Sequence, residues 1–187
     1  HPEVLYQLIR ALNECGYRWV MVQEHSVQNL DGSTLRDDQK YIPNMLKAQG
    51  SNGDTISITA LIKTQGSDTK LVGQMQPYYE ALGLSKQNLG QNMIPSLVSQ
   101  IADGENGGVM MNEFPQAYIH AYKRIGPKTN LSPTIAMNGS EYLDFLVTLN
   151  IDEDSFPLIQ AIDQHKIWEK ISGPITPTTF LKAIDEL

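Results

Sequence analysis

The residues with the most chemical potential lie in one acidic, glycine-rich run, "IADGENGGVMM" at residues 101–111. Asp103 and Glu105 are separated by one residue, so in an extended chain both carboxylates face the same side. Mutual repulsion and partial burial of such a pair are expected to raise the pKa of one member, as a general acid requires. This chemistry fits cleavage of a glycosidic bond, in which one acid protonates the leaving oxygen and a second carboxylate attacks the sugar or activates water.

Two other interpretations of the run stay open. Asp-Gly and Asn-Gly are among the commonest turn dipeptides, so the run also fits a turn with solvated carboxylates. Gly104, Gly107 and Gly108 are typical of a phosphate-binding nest. The nest is disfavoured because no Lys-Ser/Thr pair follows and because the two carboxylates would repel a phosphate.

Helices and strands are predicted to alternate along the chain. Leu5, Leu8, Ile9 and Leu12 recur at helical spacing, and Gly16 ends that helix. Later segments are assigned from their hydrophobic period and from turn residues. Strands are predicted at Arg18–Gln23, Asp54–Thr64 and Ser96–Ala102, and helices at Asp68–Gly83 and 112–125. Residues 133–149 are predicted to form a strand and then a helix with Ser140 as N-cap, and loop with some helix is predicted after Asn150. This order predicts an α/β fold in which parallel strands alternate with helices.

In a parallel sheet, ligand sites lie beyond the carboxyl ends of the strands. Asp103 directly follows the predicted strand Ser96–Ala102, and Glu24 and His25 directly follow the strand Arg18–Gln23. The sequence therefore predicts one cleft that contains all three side chains.

Composition narrows the classes of partner. The net charge of −7 disfavours a nucleic acid or an anionic membrane surface, and no apolar run is long enough to span a bilayer. Cys15 is the one cysteine, and the first residues lack the features of a signal peptide, which favours a reducing, cytoplasmic location. The four histidines are scattered, and no HxH, HExxH or CxxC pattern occurs, so neither a metal nor another cofactor is expected.

Three segments, in the same order as in a known family, resemble glycoside hydrolase family 57. "ADGENGG" is similar to the family's DGEN segment, "LIRALNECGYRWVMVQEHSV" to the helix and strand that follow its nucleophile segment, and "SPTIAMNGSEYLDFL" to a later strand and helix. The resemblance spans Glu3 to about Leu149. It implies a portion of an incomplete (β/α)7 TIM-like barrel at residues 1–150, and residues 151–187 are then expected to form a helical extension that packs on the barrel.

The resemblance also implies a retaining hydrolase or glucanotransferase that acts on α-glucans. Asp103 corresponds to the general acid/base. Substrate contacts are expected from the other candidate residues, Glu24, His25, Glu105, Asn106 and Trp168. The family's nucleophile is a glutamate in a Trp-x-Pro-Glu-like segment that this sequence does not contain, so we interpret the chain as part of a longer protein whose nucleophile lies upstream, and expect this part alone to be inactive.

Two other classes of function remain as alternatives. One is a carbohydrate-binding or structural module without turnover, and the other is a hydrolase similar to polysaccharide deacetylases. The expected partner is an oligo- or polysaccharide. Self-association, or association with the remainder of the parent chain, is also expected because a partial barrel leaves strand edges and apolar faces uncovered.

Overall fold

The computed structural model describes residues 2–64, 76–99, 115–125, 134–162, 174 and 176–185 of the 187-residue chain. Short 3₁₀ turns at Glu24–Ser26, Gln39–Tyr41 and Glu153–Ser155 connect some of the elements. The helices and strands, numbered in chain order, are α1 (Pro2–Glu14), β1 (Trp19–Gln23), β2 (Val27–Asn29), β3 (Asn44–Gln49), β4 (Thr55–Lys63), α2 (Gln76–Gly83), β5 (Gln87–Leu89), β6 (Asn92–Ile94), α3 (Pro115–Arg124), α4 (Gly139–Thr148), β7 (Leu158–Ala161) and α5 (Pro177–Asp185).

The predicted helix–glycine–strand unit at the start of the chain is confirmed. Helix α1 ends at Glu14 and is capped by Gly16, whose φ of +81° is a conformation that glycine adopts without strain. The Gly16 N–H donates to the Asn13 carbonyl and the Tyr17 N–H to the Leu12 carbonyl, the hydrogen-bond pattern of a Schellman cap. Strand β1 then begins at Trp19, within one residue of the predicted start.

Five strands form one mixed sheet in the order β1-β4-β3-β7-β2. The pairs β1–β4 and β3–β7 are parallel, and the pairs β3–β4 and β2–β7 are antiparallel. Strands β5 and β6 form a separate antiparallel pair.

The prediction of parallel strands alternating with helices in a TIM-like barrel is therefore wrong. Strands β3 and β4 form a hairpin across the turn at residues 50–54, where the Gly50 N–H donates to the Asp54 carbonyl and Gly53 has a φ of +88°. So short a connection forces antiparallel pairing, because a parallel crossover needs about a dozen residues. Strand β3 lies between the predicted strands Arg18–Gln23 and Asp54–Thr64, in a stretch where no strand is predicted.

Two other expected strands are absent where the structure describes them. Residues 96–99 and 134–138 lie outside any helix or strand. The strand near the first of these segments is instead the short β6, which ends at Ile94. Residues 158–161, in the part expected to be loop and helix, form β7 between β3 and β2, so the sheet takes strands from both sides of residue 150.

Helices cover both faces of the sheet. On one face α1 buries Ile9 against alternate residues of β3 and β4, among them Leu46, Ile58 and Ile62. On the other face α4 buries Leu143 and Leu146 in a second cluster that includes Trp19 and Met45. Because successive strand residues point to opposite faces, neighbours such as Met45 and Leu46 contribute to different clusters.

Helix α4 begins with a capping box. The Asn138 side chain accepts a hydrogen bond from the Glu141 N–H at 2.9 Å, and the Glu141 carboxylate accepts one from the Asn138 N–H at 2.7 Å. Ser140, the predicted N-cap, lies inside the helix, and its hydroxyl accepts a hydrogen bond from Trp19 Nε1 at 3.0 Å. This bond joins the start of α4 to strand β1.

The first residue of α4 must be small. A Cβ atom at Gly139 would lie 2.6 Å from Cε2 of Trp19 and 2.8 Å from Cδ1 of Leu61. Real Cβ atoms essentially never make contacts this close, so a side chain at Gly139 would force Trp19, Leu61 or the start of α4 to shift.

None of the helices in the described ranges is both long enough and apolar enough to cross a bilayer.

Replacing Gly139 with alanine is expected to lower the free energy of unfolding by about 1–3 kcal/mol, because the added methyl group overpacks the contact with Trp19. Urea unfolding followed by circular dichroism measures the change. Gly83→Ala is the matched control, since a Cβ there meets nothing within 4 Å, and it is expected to change stability by less than about 0.5 kcal/mol. Equal effects of the two substitutions would contradict the close packing of α4.

Candidate functional site

The predicted catalytic residue lies outside the described residues. Asp103, Glu105 and Asn106 fall in 101–114, and Trp168 falls in 163–173. The structure therefore locates two of the candidate site residues, Glu24 and His25.

Glu24 and His25 lie where the sequence places them, at the carboxyl end of a strand. Both belong to the 3₁₀ turn Glu24–Ser26 that directly follows β1. Glu24 is half-buried and His25 is exposed. Both residues therefore follow the end of a strand that pairs in parallel with β4, although the sheet as a whole is mixed.

Strand β4 ends beside β1, so the carboxyl ends of these two strands lie next to each other. Strands β1 and β4 are parallel, and Gln23 lies opposite Lys63. Glu24 and Thr64, the next residues of the two segments, are consequently neighbours at the edge where parallel strands present ligand-binding groups.

Two further side chains complete this group, and we call Glu24, Tyr41, Thr64 and Glu80 the carboxyl-end cluster. Tyr41 comes from the 3₁₀ turn before β3, and its hydroxyl donates to Glu80 Oε1 at 2.8 Å. Thr64 Oγ1 donates to the same carboxylate at 3.1 Å. Glu80, on α2, therefore connects a helix, a turn and the end of β4.

The electrostatics of the cluster are those of a crowded acidic site. The pKa of Tyr41 is raised to about 12, first by burial and then by its hydrogen bond to Glu80. The negative charges of Glu80, Glu24 and Asp37 raise the pKa of this phenol further. Tyr41 consequently remains a neutral hydrogen-bond donor throughout the physiological pH range.

A cationic side chain lies at the same end of the strands. Lys63, the last residue of β4, is 8% exposed. Its ammonium group makes no hydrogen bond or ion pair with any part of the chain that the structure describes. Burying an ammonium group is costly unless it is paired, so this lysine is a candidate contact for a ligand hydroxyl or for a carboxylate.

The arrangement favours recognition of hydroxyl groups. Carboxylates accept hydrogen bonds from hydroxyls, while Tyr41 and Thr64 supply hydroxyl groups that donate and accept. The surplus of negative charge disfavours anionic ligands. Within the described ranges no three His, Cys, Asp or Glu side chains are placed to hold a metal ion.

Sequence reasoning missed three members of the cluster. Thr64 ends a predicted strand, so the rule that selected Glu24 would also have selected it. Tyr41 lies in a stretch without regular period, and Glu80 lies on a helix, where an acidic residue is ordinarily solvated. Their meeting depends on tertiary structure that no local pattern contains.

The raised pKa of Tyr41 predicts a loss of stability in alkali. The unfolded phenol ionises near its ordinary pKa of 10 and the folded one near 12, so the stabilising contribution is complete below pH 10 and disappears between pH 10 and 12. Tyr41→Phe is therefore expected to make the fall of the urea midpoint between about pH 10 and 12, the interval between the two pKa values, shallower than in the wild type.

Tyr17→Phe is the control, because Tyr17 is 61% exposed and lies at the opposite end of β1. It is expected to leave the alkaline slope unchanged. Tyr142, whose pKa is also raised by burial, keeps a residual slope in both variants. A slope unaffected by Tyr41→Phe would contradict the burial of this phenol against Glu80.

Comparison with known proteins leaves the site to be judged on its own chemistry. No protein-family model, curated protein or solved structure matches the chain. The similarity to glycoside hydrolase family 57 thus depends on the three quoted segments alone and stays a prediction.

Proposed function

We propose that the chain is part of a retaining glycoside hydrolase or glucanotransferase that acts on α-glucans. The observation that carries the proposal is the carboxyl-end cluster, in which two carboxylates and two hydroxyls meet at the carboxyl end of a parallel strand pair. Groups of this kind bind neutral polyhydroxylated ligands. The proposal does not require a barrel.

Asp103 is assigned the roles of general acid and then general base. As an acid it protonates the glycosidic oxygen while the nucleophile, supplied from outside this chain, attacks the anomeric carbon and forms a glycosyl-enzyme intermediate. As a base it then removes a proton from water, giving hydrolysis, or from a sugar hydroxyl, giving transfer. Neither step needs a metal or an organic cofactor.

The other candidate residues are assigned to substrate binding. Glu24 belongs to the carboxyl-end cluster, where its charge raises the pKa of Tyr41, and His25 follows it in the turn after β1. Glu105 and Asn106 follow Asp103 in sequence and would contact the sugar beside it. Trp168 would stack on a sugar ring.

A cytoplasmic location and association with the remainder of a parent chain also form part of the proposal. Cys15 is a free, exposed thiol, and a reducing compartment preserves such a group. The acidic site and the net charge of −7 favour a neutral glucan over nucleic acid or an anionic membrane.

Asp103→Asn tests the assignment in the full-length protein that carries this chain. Loss of a general acid/base is expected to lower turnover of amylose by roughly 10²- to 10⁴-fold, while the dissociation constant for malto-oligosaccharides, measured by calorimetry, changes little. Asp185→Asn is the control, because Asp185 is an exposed carboxylate at the end of α5.

Three outcomes would overturn the proposal. A wild-type protein that binds glucan without turnover would identify a carbohydrate-binding module. Metal-dependent release of acetate from an acetylated polysaccharide would identify a deacetylase. Full activity of Asp103→Asn would remove this residue from the mechanism.

A further inference from the structure

We propose that strand β1 is the contact surface of a symmetric homodimer, in which the free edge of β1 pairs antiparallel with β1 of a second copy of the chain. The two five-stranded sheets then form one continuous sheet. This inference goes beyond the proposed function and does not depend on the class of substrate.

The edge of β1 that points away from β4 is open in the part of the chain that the structure describes. Strand β1 is the first strand in the order β1-β4-β3-β7-β2, so its one neighbour there is β4. Half of the backbone N–H and C=O groups of an edge strand point away from its neighbour. In residues 19–23 these outward groups have no hydrogen-bond partner among the described residues.

The burial of β1 is that of an edge strand whose two faces are covered. Val20 and Val22 are half-buried, whereas Ala60 and Ile62, which lie opposite them in β4, are 0% and 1% exposed. Val20 and Val22 pack in the cluster under α1, and Trp19 packs in the cluster under α4. A further strand beside β1 is therefore the element that would complete the burial of these side chains.

The sequence of β1 lacks the features that prevent edge pairing. Natural edge strands carry charges or proline, or are very short. The five residues of β1, "WVMVQ", include neither a charge nor a proline. Strand β2, at the other edge of the sheet, has three residues, and the Asn29 N–H donates to the Ser33 carbonyl of the turn that follows. Of these two edges, β1 is the one suited to pairing with another strand.

The symmetry of a dimer selects one register. A two-fold axis perpendicular to the sheet keeps the α1 faces of both copies on the same side, so the axis must pass through a residue position rather than between two residues. The register that pairs all five residues of β1 is centred on Met21. Met21 then lies opposite its own copy, and Val20 lies opposite Val22. Pairs of β-branched residues directly opposite each other stabilise adjacent strands.

The same register places opposite charges across from each other. Arg18 directly precedes β1 and Glu24 directly follows it. Arg18 of one copy consequently lies opposite Glu24 of the other, and this pair occurs twice in the dimer. An axis through Val20 or Val22 would lose both pairs, because Arg18 or Glu24 would then lie opposite a valine. This self-complementarity favours a second copy of the chain over an unrelated strand.

The dimer also brings a cation to the carboxyl-end cluster. Glu24 belongs to that cluster together with the carboxylate of Glu80. Arg18 is exposed and forms an ion pair with Asp144 at 2.8 Å, and a guanidinium group has enough donors for a second carboxylate. In the dimer each copy therefore supplies a positive charge to the acidic site of the other.

Sedimentation equilibrium of the 187-residue chain tests the dimer. One pair of strands is a small interface, so a dissociation constant on the order of 10 µM is expected. Arg18→Glu and Glu24→Arg each place like charges opposite each other at both positions, and each is expected to raise the dissociation constant roughly tenfold. An equimolar mixture of the two variants is expected to associate as tightly as the wild type, because each charge meets its opposite in the heterodimer.

Arg36→Glu is the matched control. Arg36, like Arg18, is an exposed arginine in a surface ion pair, here with Asp38 at 3.1 Å, and it lies outside β1. The same change of net charge at Arg36 is expected to leave the dissociation constant within about twofold of the wild type. Affinity that returns on mixing the two β1 variants also shows that both are folded.

Hydrogen exchange locates the interface. The backbone N–H groups of residues 19–23 are expected to exchange more slowly above the dissociation constant than below it, because pairing with the second copy protects them.

Three outcomes would overturn the inference. The first is a chain that stays monomeric at about 200 µM, far above the expected dissociation constant. The second is a dimer that mixing of the two variants does not restore, or in which residues 19–23 stay unprotected, since its contact surface would lie elsewhere. The third is protection of residues 19–23 in a monomeric full-length protein that carries this chain, which would identify a strand of the same protein as the occupant. Turnover by Asp103→Asn tests the proposed function separately from all three.

Discussion

The contact between Gly139 and the ring of Trp19 is the constraint on which the second layer of the fold depends. Because a glycine begins α4, the helix approaches the sheet closely enough for Ser140 to accept the Trp19 indole hydrogen bond at 3.0 Å. The same approach buries Leu143 and Leu146. With α1 on one face and α4 on the other, β4 is covered on both sides, and its carboxyl end is held in a fixed position next to that of β1.

The fixed position of the carboxyl ends of β1 and β4 explains how residues distant in sequence form one acidic site. Glu80 accepts hydrogen bonds from Tyr41 and from Thr64, so its carboxylate fastens α2 and the turn before β3 to the end of β4. Such a carboxylate contributes to the local order of this part of the fold.

Local sequence patterns predicted several helices and strands in the first half of the chain, but they did not predict how the strands pair. Period and turn residues located α1, β1 and β4 because each has a strong apolar pattern, and Glu24 follows β1 as the predicted end of that strand implies. The same approach missed β3, since its neighbours are polar and its burial comes from pairing with β4. It missed the antiparallel pairing because, without β3, the short connection at residues 50–54 could not be recognised as the turn of a hairpin. Glu80 and Tyr41 joined the site through contacts between segments distant in sequence, which single-sequence patterns do not record.

The position of β7 has a consequence for the order in which the chain folds. Strand β7 lies between β3 and β2, and Val27 pairs with Ala161. Two strands near the amino terminus thus acquire a shared neighbour only after more than a hundred further residues have been synthesised. During translation β2 and β3 remain without that neighbour, so the nascent chain exposes unpaired strand edges that chaperones recognise. The high sequence separation of these contacts makes closure of the sheet a late and slow event.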